Sequence, residues 1–148
     1  MNSKPLPEFT RVAKKKRAPI DGGLRPLFRK KLSIGWQWTT IETGATTGGV
    51  PDAEYCTRGG AQGWIEFKAC SGWRPTIRPL QVSWIARRAR LGGRVFIAVV
   101  RERTELWLIG GQNVVALADQ GLRASGGLTF HGGPQRWDWK EIAKVLTA

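Results

Sequence analysis

The residues best suited to chemistry are two carboxylates and a lysine in the segment Gly49–Lys68. Asp52 follows Pro51, and Glu66 and Lys68 lie two positions apart in a stretch that alternates like a β-strand. Residues two apart on a strand point to the same face, so Glu66 and Lys68 could act on one phosphate. Cleavage of a phosphodiester needs an activated water and charge stabilisation. A divalent metal held by one or two carboxylates supplies much of both.

The charge of each group suggests its role. Glu66 would hold a metal together with Asp52, while Lys68 would orient or deprotonate the water or neutralise developing charge. The Phe67 side chain is expected in the core, but its backbone carbonyl would face the same edge and could complete the metal coordination. Two structural explanations remain open: Glu66 and Lys68 could form an ion pair on a solvated strand, and Asp52 could be a turn residue. The apolar neighbours favour chemistry, because two charges beside a buried strand are expensive unless they are used.

Hydrophobic periodicity predicts the elements that must position these residues. Helical spacing predicts helices over Leu24–Leu32, Pro79–Leu91 and Trp137–Leu146, and a short helix that starts within Val114–Leu117. Alternating or continuous apolar runs predict strands over Trp36–Thr43, Val50–Cys56, Gly63–Cys70, Arg94–Arg101 and Glu105–Ile109, and Gly121–Gly133 is expected to be a loop. The order α–β–β–β–α–β–β–α predicts an α/β protein with a central mixed β-sheet flanked by helices.

The chain is strongly basic, with 24 Lys and Arg against 11 Asp and Glu and a net charge of +13. We predict a flexible basic arm over residues 1–23 and a single domain over residues 24–148. The densest basic run in the arm is Lys14, Lys15, Lys16 and Arg17. A polyanionic partner is the usual reason to tolerate such an imbalance, so the charge favours nucleic acid over a merely solubilising surface.

The composition argues against membrane, secreted and zinc-binding classes. No apolar run is long enough to span a membrane, and the basic N-terminus lacks the apolar stretch of a signal peptide. Two cysteines, Cys56 and Cys70, are too few for a disulfide framework, and no Cys/His spacing suggests a zinc site. We therefore expect a reducing, cytoplasmic setting in which both thiols are free.

The ordered motifs of residues 36–107 resemble the PD-(D/E)xK nuclease superfamily. Pro51-Asp52 followed by Glu66-Phe67-Lys68 is the pattern that gives the superfamily its name. The longer segments Gly48–Asp52, Trp64–Lys68 and Leu80–Gln81 resemble the Holliday-junction-resolvase and VRR-NUC branch. Together with the stretch Arg87–Arg94, they are most similar to small phage-encoded nucleases of that branch, whose host cytoplasm would then be the working compartment.

The resemblance implies a restriction-endonuclease-like core and a definite site. It implies Mg²⁺ or Mn²⁺ bound by Asp52, Glu66 and the carbonyl of Phe67, with Lys68 assisting the water. It also implies a further acid upstream, often a Glu on the first helix. The sequence departs from the pattern there, because Leu24–Leu32 contains no acid.

Two acids and one amide are candidates to complete this site. Glu42, at the end of the first predicted strand, is the best substitute for the missing acid in both catalysis and metal binding, and Glu54 is the alternative. Gln81, near the start of the predicted helix, would orient Lys68 or a water at the metal. It could equally be an ordinary surface residue of the helix.

Basic and aromatic residues around these motifs suggest how DNA would bind. Nothing resembles a base-reading module, so we expect contacts with the phosphate backbone. The candidate contacts are Arg74, Arg78, Arg87, Arg88 and Arg90, together with the basic run of the arm; a solvated helix face is the alternative. Trp73 could stack on an unpaired base or belong to the core. His131, in a glycine-rich loop, is expected to be a surface residue.

Two classes of function fit these features. The first is a metal-dependent endonuclease that acts on double-stranded or branched DNA, as a homodimer if it resolves junctions by two coordinated cuts. Nicking, repair or degradation of host DNA are variants of it. The second is a non-catalytic basic DNA-binding or packaging protein on the same fold. The complete set Asp52, Glu66 and Lys68 favours catalysis, because a binder has no reason to keep costly charges together.

Overall fold

The computed structural model describes residues 20–42 and 48–148. Within these residues, the helices are α1 Leu24–Lys31, α2 Pro79–Arg90, α3 Val114–Gln120 and α4 Trp139–Thr147. The strands within them are β1 Trp36–Thr40, β2 Ala53–Thr57, β3 Gln62–Cys70, β4 Val95–Arg101, β5 Glu105–Gly110 and β6 Leu128–Phe130. Short 3₁₀ turns at Gly111–Asn113 and Leu122–Ala124 flank α3. The predicted basic run Lys14–Arg17 lies outside the described residues.

The six strands form one mixed sheet in sequence order, from β1 at one edge to β6 at the other. Only the central pair β3 and β4 is parallel, with Glu66 opposite Ile97, and the other neighbouring strands are antiparallel. A parallel pair needs a crossover connection, and α2 provides it between β3 and β4. The predicted mixed sheet flanked by helices is confirmed.

Two apolar clusters cover the two faces of the sheet. Alternation along β3 sends Ile65 and Phe67 into the cluster formed with α1 and α4. Trp64 lies on the opposite face, in the cluster formed with α2 and α3. The continuous apolar run of β4 contributes to both clusters, as expected for a strand buried on both sides. The strand that carries Glu66 is therefore held between two packed layers.

Several element boundaries differ from those predicted. The two strands predicted on either side of the loop before Asp52 both form but are displaced: β1 ends at Thr40, and β2 begins at Ala53 rather than Val50, so that Asp52 precedes the strand. The interpretation of Gly121–Gly133 as a loop is wrong for Leu128–Phe130, which pairs with β5 as an edge strand. These three residues alternate apolar and polar, but they are too few, in a glycine-rich segment, to predict a strand. The last helix begins at Trp139 because the Asp138 side chain accepts the Glu141 N–H.

The turn before α1 is part of the described structure. Ile20 to Gly23 form this turn, and Asp21 accepts the N–H groups of Gly23 and Arg25 at 2.9 and 3.3 Å. Residues 20–23, which were predicted to belong to the basic arm, therefore form a turn, and the boundary at residue 23 stays a prediction. Among the described residues, no helix is long and apolar enough to cross a membrane. Cys56 and Cys70 are both free thiols.

Candidate active site

A cleft of about 820 Å³ opens where β3 meets the first turns of α1 and α2. It is lined by Ile20, Asp21, Arg25, Pro26, Asp52, Glu66, Phe67, Lys68, Ala69, Thr76, Arg78 and Gln81. Asp52, Glu66, Lys68 and Gln81, which come from three separate segments, are thus brought to one place. Glu42 is exposed beyond the end of β1 and is not among the lining residues.

Asp52 and Glu66, two of the three acids that line the cleft, are held together by hydrogen bonds from backbone N–H groups. The N–H of Asp52 donates to Oε2 of Glu66 at 3.1 Å. The N–H of Phe67, next to Glu66 on β3, donates to Oδ2 of Asp52 at 2.9 Å. Asp52 lies just before β2, and its position against β3 follows from the antiparallel register that places Ala53 opposite Ile65. The two carboxylates therefore have a fixed relative geometry.

Gln81 links Glu66 to Lys68. Its Nε2 donates to Oε1 of Glu66 at 2.7 Å, and its Oε1 accepts from Nζ of Lys68 at 3.1 Å. The same Oε1 accepts the N–H of Arg78 at 3.1 Å, which fixes the amide at the start of α2. Only 4% of Gln81 is exposed. It is therefore not an ordinary surface residue of the helix, although its role in catalysis stays a prediction.

Glu66 is a buried charged group, with 2% of its surface exposed. Nζ of Lys68 lies 3.2 Å from its Oε1, so the predicted placement of both side chains on one face is correct. Burial raises the pKa of Glu66, the neighbouring Asp52 carboxylate raises it further, and Lys68 opposes both effects. The explanation of an ion pair on a solvated strand is inconsistent with this burial.

The donor set of the cleft fits a hard divalent cation. Asp52 and Glu66 bring two carboxylates together, and their mutual repulsion would be relieved by a cation between them. The carbonyl of a strand residue points to the same side as its N–H, so the Phe67 carbonyl also faces the Asp52 side. No group of three or more His, Cys, Asp or Glu that could hold a metal lies within residues 20–42 and 48–148. A cation here would depend on two carboxylates, the backbone carbonyl and water.

Asp21 and Arg25, at the start of α1, line the cleft but were not predicted as site residues. Nη2 of Arg25 lies 3.3 Å from Oδ1 of Asp52. Asp21 stands just before the predicted first helix, where Asp is a typical N-terminal capping residue, and this signal could have pointed to it. The sequence contains no comparable signal for Arg25, because its contact with Asp52 joins residues 27 positions apart.

The predicted DNA-contacting arginines are in different environments. Arg78 lines the cleft, whereas Arg74, Arg87 and Arg90 are exposed outside it. Arg88 is half-buried, with its guanidinium over the rings of Trp64 and Trp84 at 5.3 and 4.5 Å. A packing role for Arg88 is therefore evident. Glu54 lines a separate cavity that includes Trp64, Arg88 and Arg94.

Trp73 is enclosed by two guanidinium groups. The Cζ atoms of Arg101 and Arg123 lie 3.7 and 3.8 Å from its ring centroid. Two guanidiniums this close cannot share one face, so they cover opposite faces. Trp73 thus has no free face for a base to stack on, and it packs against the cluster under α2 and α3. His131 is exposed in its loop, as expected.

Comparison with known proteins shows similarity at the level of the fold. No protein-family model and no curated protein sequence matches it. Among solved structures, it is similar to Archaeoglobus fulgidus Hjc, a Holliday junction resolvase from an archaeal hyperthermophile. The TM-score is 0.52 at 15% sequence identity, and the match covers 81% of this chain and 96% of that one. The two proteins share a fold, which confirms the predicted restriction-endonuclease-like core.

Proposed function

We propose that this protein is a metal-dependent DNA endonuclease of the PD-(D/E)xK type. One observation carries the proposal. Asp52 and Glu66 are hydrogen-bonded to each other's backbone segments at an open cleft, and Nζ of Lys68 lies against Oε1 of Glu66. Burying Glu66 beside a second acid is costly, and a structural role alone would not require it. The fold shared with an archaeal Holliday junction resolvase supports the same conclusion.

Each group in the cleft has a role in this chemistry. Mg²⁺ or Mn²⁺, when bound, would stabilise charge on the phosphate and help to activate water. Asp52, Glu66 and the Phe67 carbonyl would hold the cation. Lys68 would orient the attacking water or neutralise charge that develops on the phosphate. Gln81 would keep Lys68 and Glu66 at a fixed separation, because its amide is hydrogen-bonded to both.

The surroundings of the cleft suit a phosphodiester backbone. The first turns of α1 and α2 both reach the cleft, and neither carries an acidic residue. Helix N-termini carry a partial positive charge, which attracts phosphate. At α1 the Asp21 carboxylate already accepts two of the N–H groups, so α2 is the better placed of the two. We propose that Arg78 contacts phosphates within the cleft and that Arg74, Arg87 and Arg90 contact the flanking backbone. The basic run Lys14–Arg17 would add further contacts.

The finer assignments are also proposals. Structure-selective cleavage of branched DNA, by a homodimer that makes two coordinated cuts, is suggested by the shared fold and by the residue pattern. A phage origin, and with it action in the host cytoplasm, is suggested by the motifs alone. Glu42 remains a candidate for the further acid, but its exposed position outside the cleft lining gives it no support.

Cleavage of a supercoiled plasmid and of a four-way junction with Mg²⁺ tests the proposal. Asp52→Asn and Glu66→Gln should each reduce the rate about a hundredfold or more, because each removes a charge at the reacting centre. Glu54→Gln is the matched control, since it removes an acid from the same sheet but from a separate cavity. Undiminished cleavage in both site variants would overturn the site. DNA binding without cleavage in Mg²⁺ or Mn²⁺ would favour the non-catalytic binding protein instead.

A further inference from the structure

All four carboxylate oxygens of Asp52 and Glu66 have a donor from the protein itself. Oδ2 of Asp52 and Oε2 of Glu66 accept backbone N–H groups, and Oε1 of Glu66 is shared by Gln81 and Lys68. The remaining oxygen, Oδ1 of Asp52, is held by Nη2 of Arg25 at 3.3 Å. A carboxylate oxygen can accept a hydrogen bond and bind a metal at the same time, so a cation could share the oxygens that hold backbone N–H groups. It would repel the positively charged donors Arg25 and Lys68.

Arg25 is the donor that is most easily displaced. The side chains of Arg25 and Asp52 are 36% and 25% exposed, whereas those of Lys68 and Glu66 are 14% and 2% exposed. Exposed ion pairs are weak because solvent screens them and the long side chain gives up entropy. The backbone N–H donors are uncharged and are held in place by the pairing of β2 with β3, so a cation does not repel them. The Arg25 contact is therefore the one that can be exchanged at low cost.

The position of Arg25 is nevertheless built into the fold. Asp21 accepts the Arg25 N–H at the start of α1, and the next turn is anchored by the fully buried Phe28. Nε of Arg25 is buried and has no acceptor among the described residues. If the guanidinium turns away from Asp52, its Nε and Nη2 become available to an anion that accepts two parallel hydrogen bonds, as a phosphate does.

We propose that Arg25 is a resident counter-ion of Asp52, which a divalent cation displaces and which then binds a phosphate of the DNA. The inference rests on the proposed function, since it takes metal and DNA as the ligands of the cleft. In the metal-free state Arg25 and Lys68 balance the charges of Asp52 and Glu66. Arrival of a dication adds two positive charges, and a phosphodiester, which carries one negative charge, offsets part of this excess. The resemblance implies that the first helix, α1, contributes an acid to the site. In this proposal α1 instead contributes the Arg25 cation, which makes metal binding and substrate binding depend on each other.

Titration calorimetry with MnCl₂ on the DNA-free protein tests the first step. Arg25→Gln should bind Mn²⁺ about three- to fivefold more tightly than the wild type, because no counter-ion competes for Asp52. Arg29→Gln is the matched control: it removes the same charge from the same helix, but its side chain contacts Thr40 and the Trp38 carbonyl rather than an acid. Arg25→Lys should stay close to the wild type. Thermal unfolding of each variant establishes that it is folded.

The results distinguish failure of the Arg25 counter-ion role from failure of the proposed nuclease function. If Arg25→Gln binds Mn²⁺ no more tightly than the wild type, or if Arg25→Gln and Arg29→Gln tighten equally, the counter-ion role is wrong while the metal site stands. If neither the wild type nor any variant binds Mn²⁺ at millimolar concentration, the proposed function itself fails, and this inference with it.

Binding of a fluorescent four-way junction in Ca²⁺, followed by anisotropy, tests the second step. Arg25→Gln should bind the junction roughly tenfold more weakly than Arg29→Gln, because it loses a charged hydrogen bond to phosphate as well as a charge. Equal affinities of the two variants would show that Arg25 does not contact DNA and would overturn this step.

Discussion

Burial of the Glu66 carboxylate destabilises the metal-free protein, whereas in the proposed metal-bound state the same carboxylate would be a ligand of the cation. Its carboxylate is buried under α2, beside Asp52, and these two conditions raise its pKa. Lys68 and Gln81 each hold Oε1, so the charge is compensated but not freely solvated. A divalent cation would supply the missing compensation. The same residue should therefore limit the stability of the metal-free protein and be needed for metal binding.

The raised pKa of Glu66 predicts a pH-dependent stability difference in metal-free protein. The folded state keeps a proton on Glu66 that the unfolded chain releases near pH 4.5. Its contribution to the free energy of unfolding is thus fully present below that pH and is lost as pH rises through the raised pKa. Gln does not titrate. Urea unfolding of Glu66→Gln and wild type should show the difference moving in favour of the variant as the pH rises above 4.5.

Glu42→Gln is the control for this pH series, because Glu42 is exposed. Its free energy of unfolding should differ from that of the wild type by a nearly constant amount. A difference between Glu66→Gln and wild type that is flat over the same pH range would show that Glu66 is not a perturbed carboxyl.

At the scale of elements, the close packing of the segment before Asp52 on α2 sets the distance from Asp52 to Gln81. Gly49, three residues before Asp52, is buried with φ of +103°. A Cβ at this position would overlap the carbonyl oxygen of Leu80, in the first turn of α2. The segment that carries Asp52 therefore packs directly on the helix that carries Gln81, and only glycine permits that contact.

Alanine at Gly49 should separate these two segments. Gly49→Ala should lower the free energy of unfolding by about 2–3 kcal/mol and slow cleavage roughly tenfold to a hundredfold, because the site loses its geometry. Gly60→Ala is the matched control: its φ is +82°, but a Cβ there meets nothing within 4 Å. That variant should lose about 1 kcal/mol through backbone strain alone and keep its activity. Urea unfolding and plasmid cleavage measure both, and equal effects of the two substitutions would contradict the packing argument.

A second element-scale feature is the loop between β3 and α2, which brings Thr76 and Arg78 to the cleft. Trp73 fixes this loop, since its ring lies between Arg101 and Arg123 and its carbonyl accepts the Leu122 N–H at 2.8 Å. The aromatic residue and the two cations thus stabilise the loop. The predicted binding surface consequently depends on packing as well as on charge.

Over the whole molecule, the surplus of positive charge should act on DNA through specific faces. Arg87 and Arg90 are exposed on α2, which borders the cleft, whereas Lys140 and Lys144 are exposed on α4, which packs on the opposite face of the sheet. The two pairs therefore carry the same charge on opposite faces of the sheet.

Removal of the α2 pair should weaken DNA binding in a salt-dependent way. Replacing Arg87 and Arg90 by Ala should lower affinity for any duplex sequence and reduce the slope of log K against log salt by about two, since each phosphate contact contributes about one. Replacing Lys140 and Lys144 by Ala should leave the slope almost unchanged. Anisotropy titrations over a range of NaCl concentrations measure it. An equal change for both pairs would show that net charge, rather than the α2 face, attracts the DNA.

The sequence by itself determined most of the fold and the centre of the candidate site. Strand alternation placed Glu66 and Lys68 on one face, and the Pro-Asp and E-x-K spacing paired Asp52 with Glu66, because local periodicity fixes which way a side chain points. The continuous apolar run of β4 indicated a central buried strand. The short edge strand β6 escaped prediction, because three residues are too few for alternation to indicate a strand and its pairing with β5 is a tertiary contact.

The tertiary structure alone decided what surrounds that pair. It buried Gln81 against Glu66, left Glu42 outside the cleft lining and brought Arg25 onto Asp52. It also enclosed Trp73 between two arginines that lie 28 and 50 positions further along the chain. Contacts between residues so far apart depend on how helices and loops pack on the sheet. No local pattern encodes that packing, so which charges and amides complete the site could be learned only from the folded molecule.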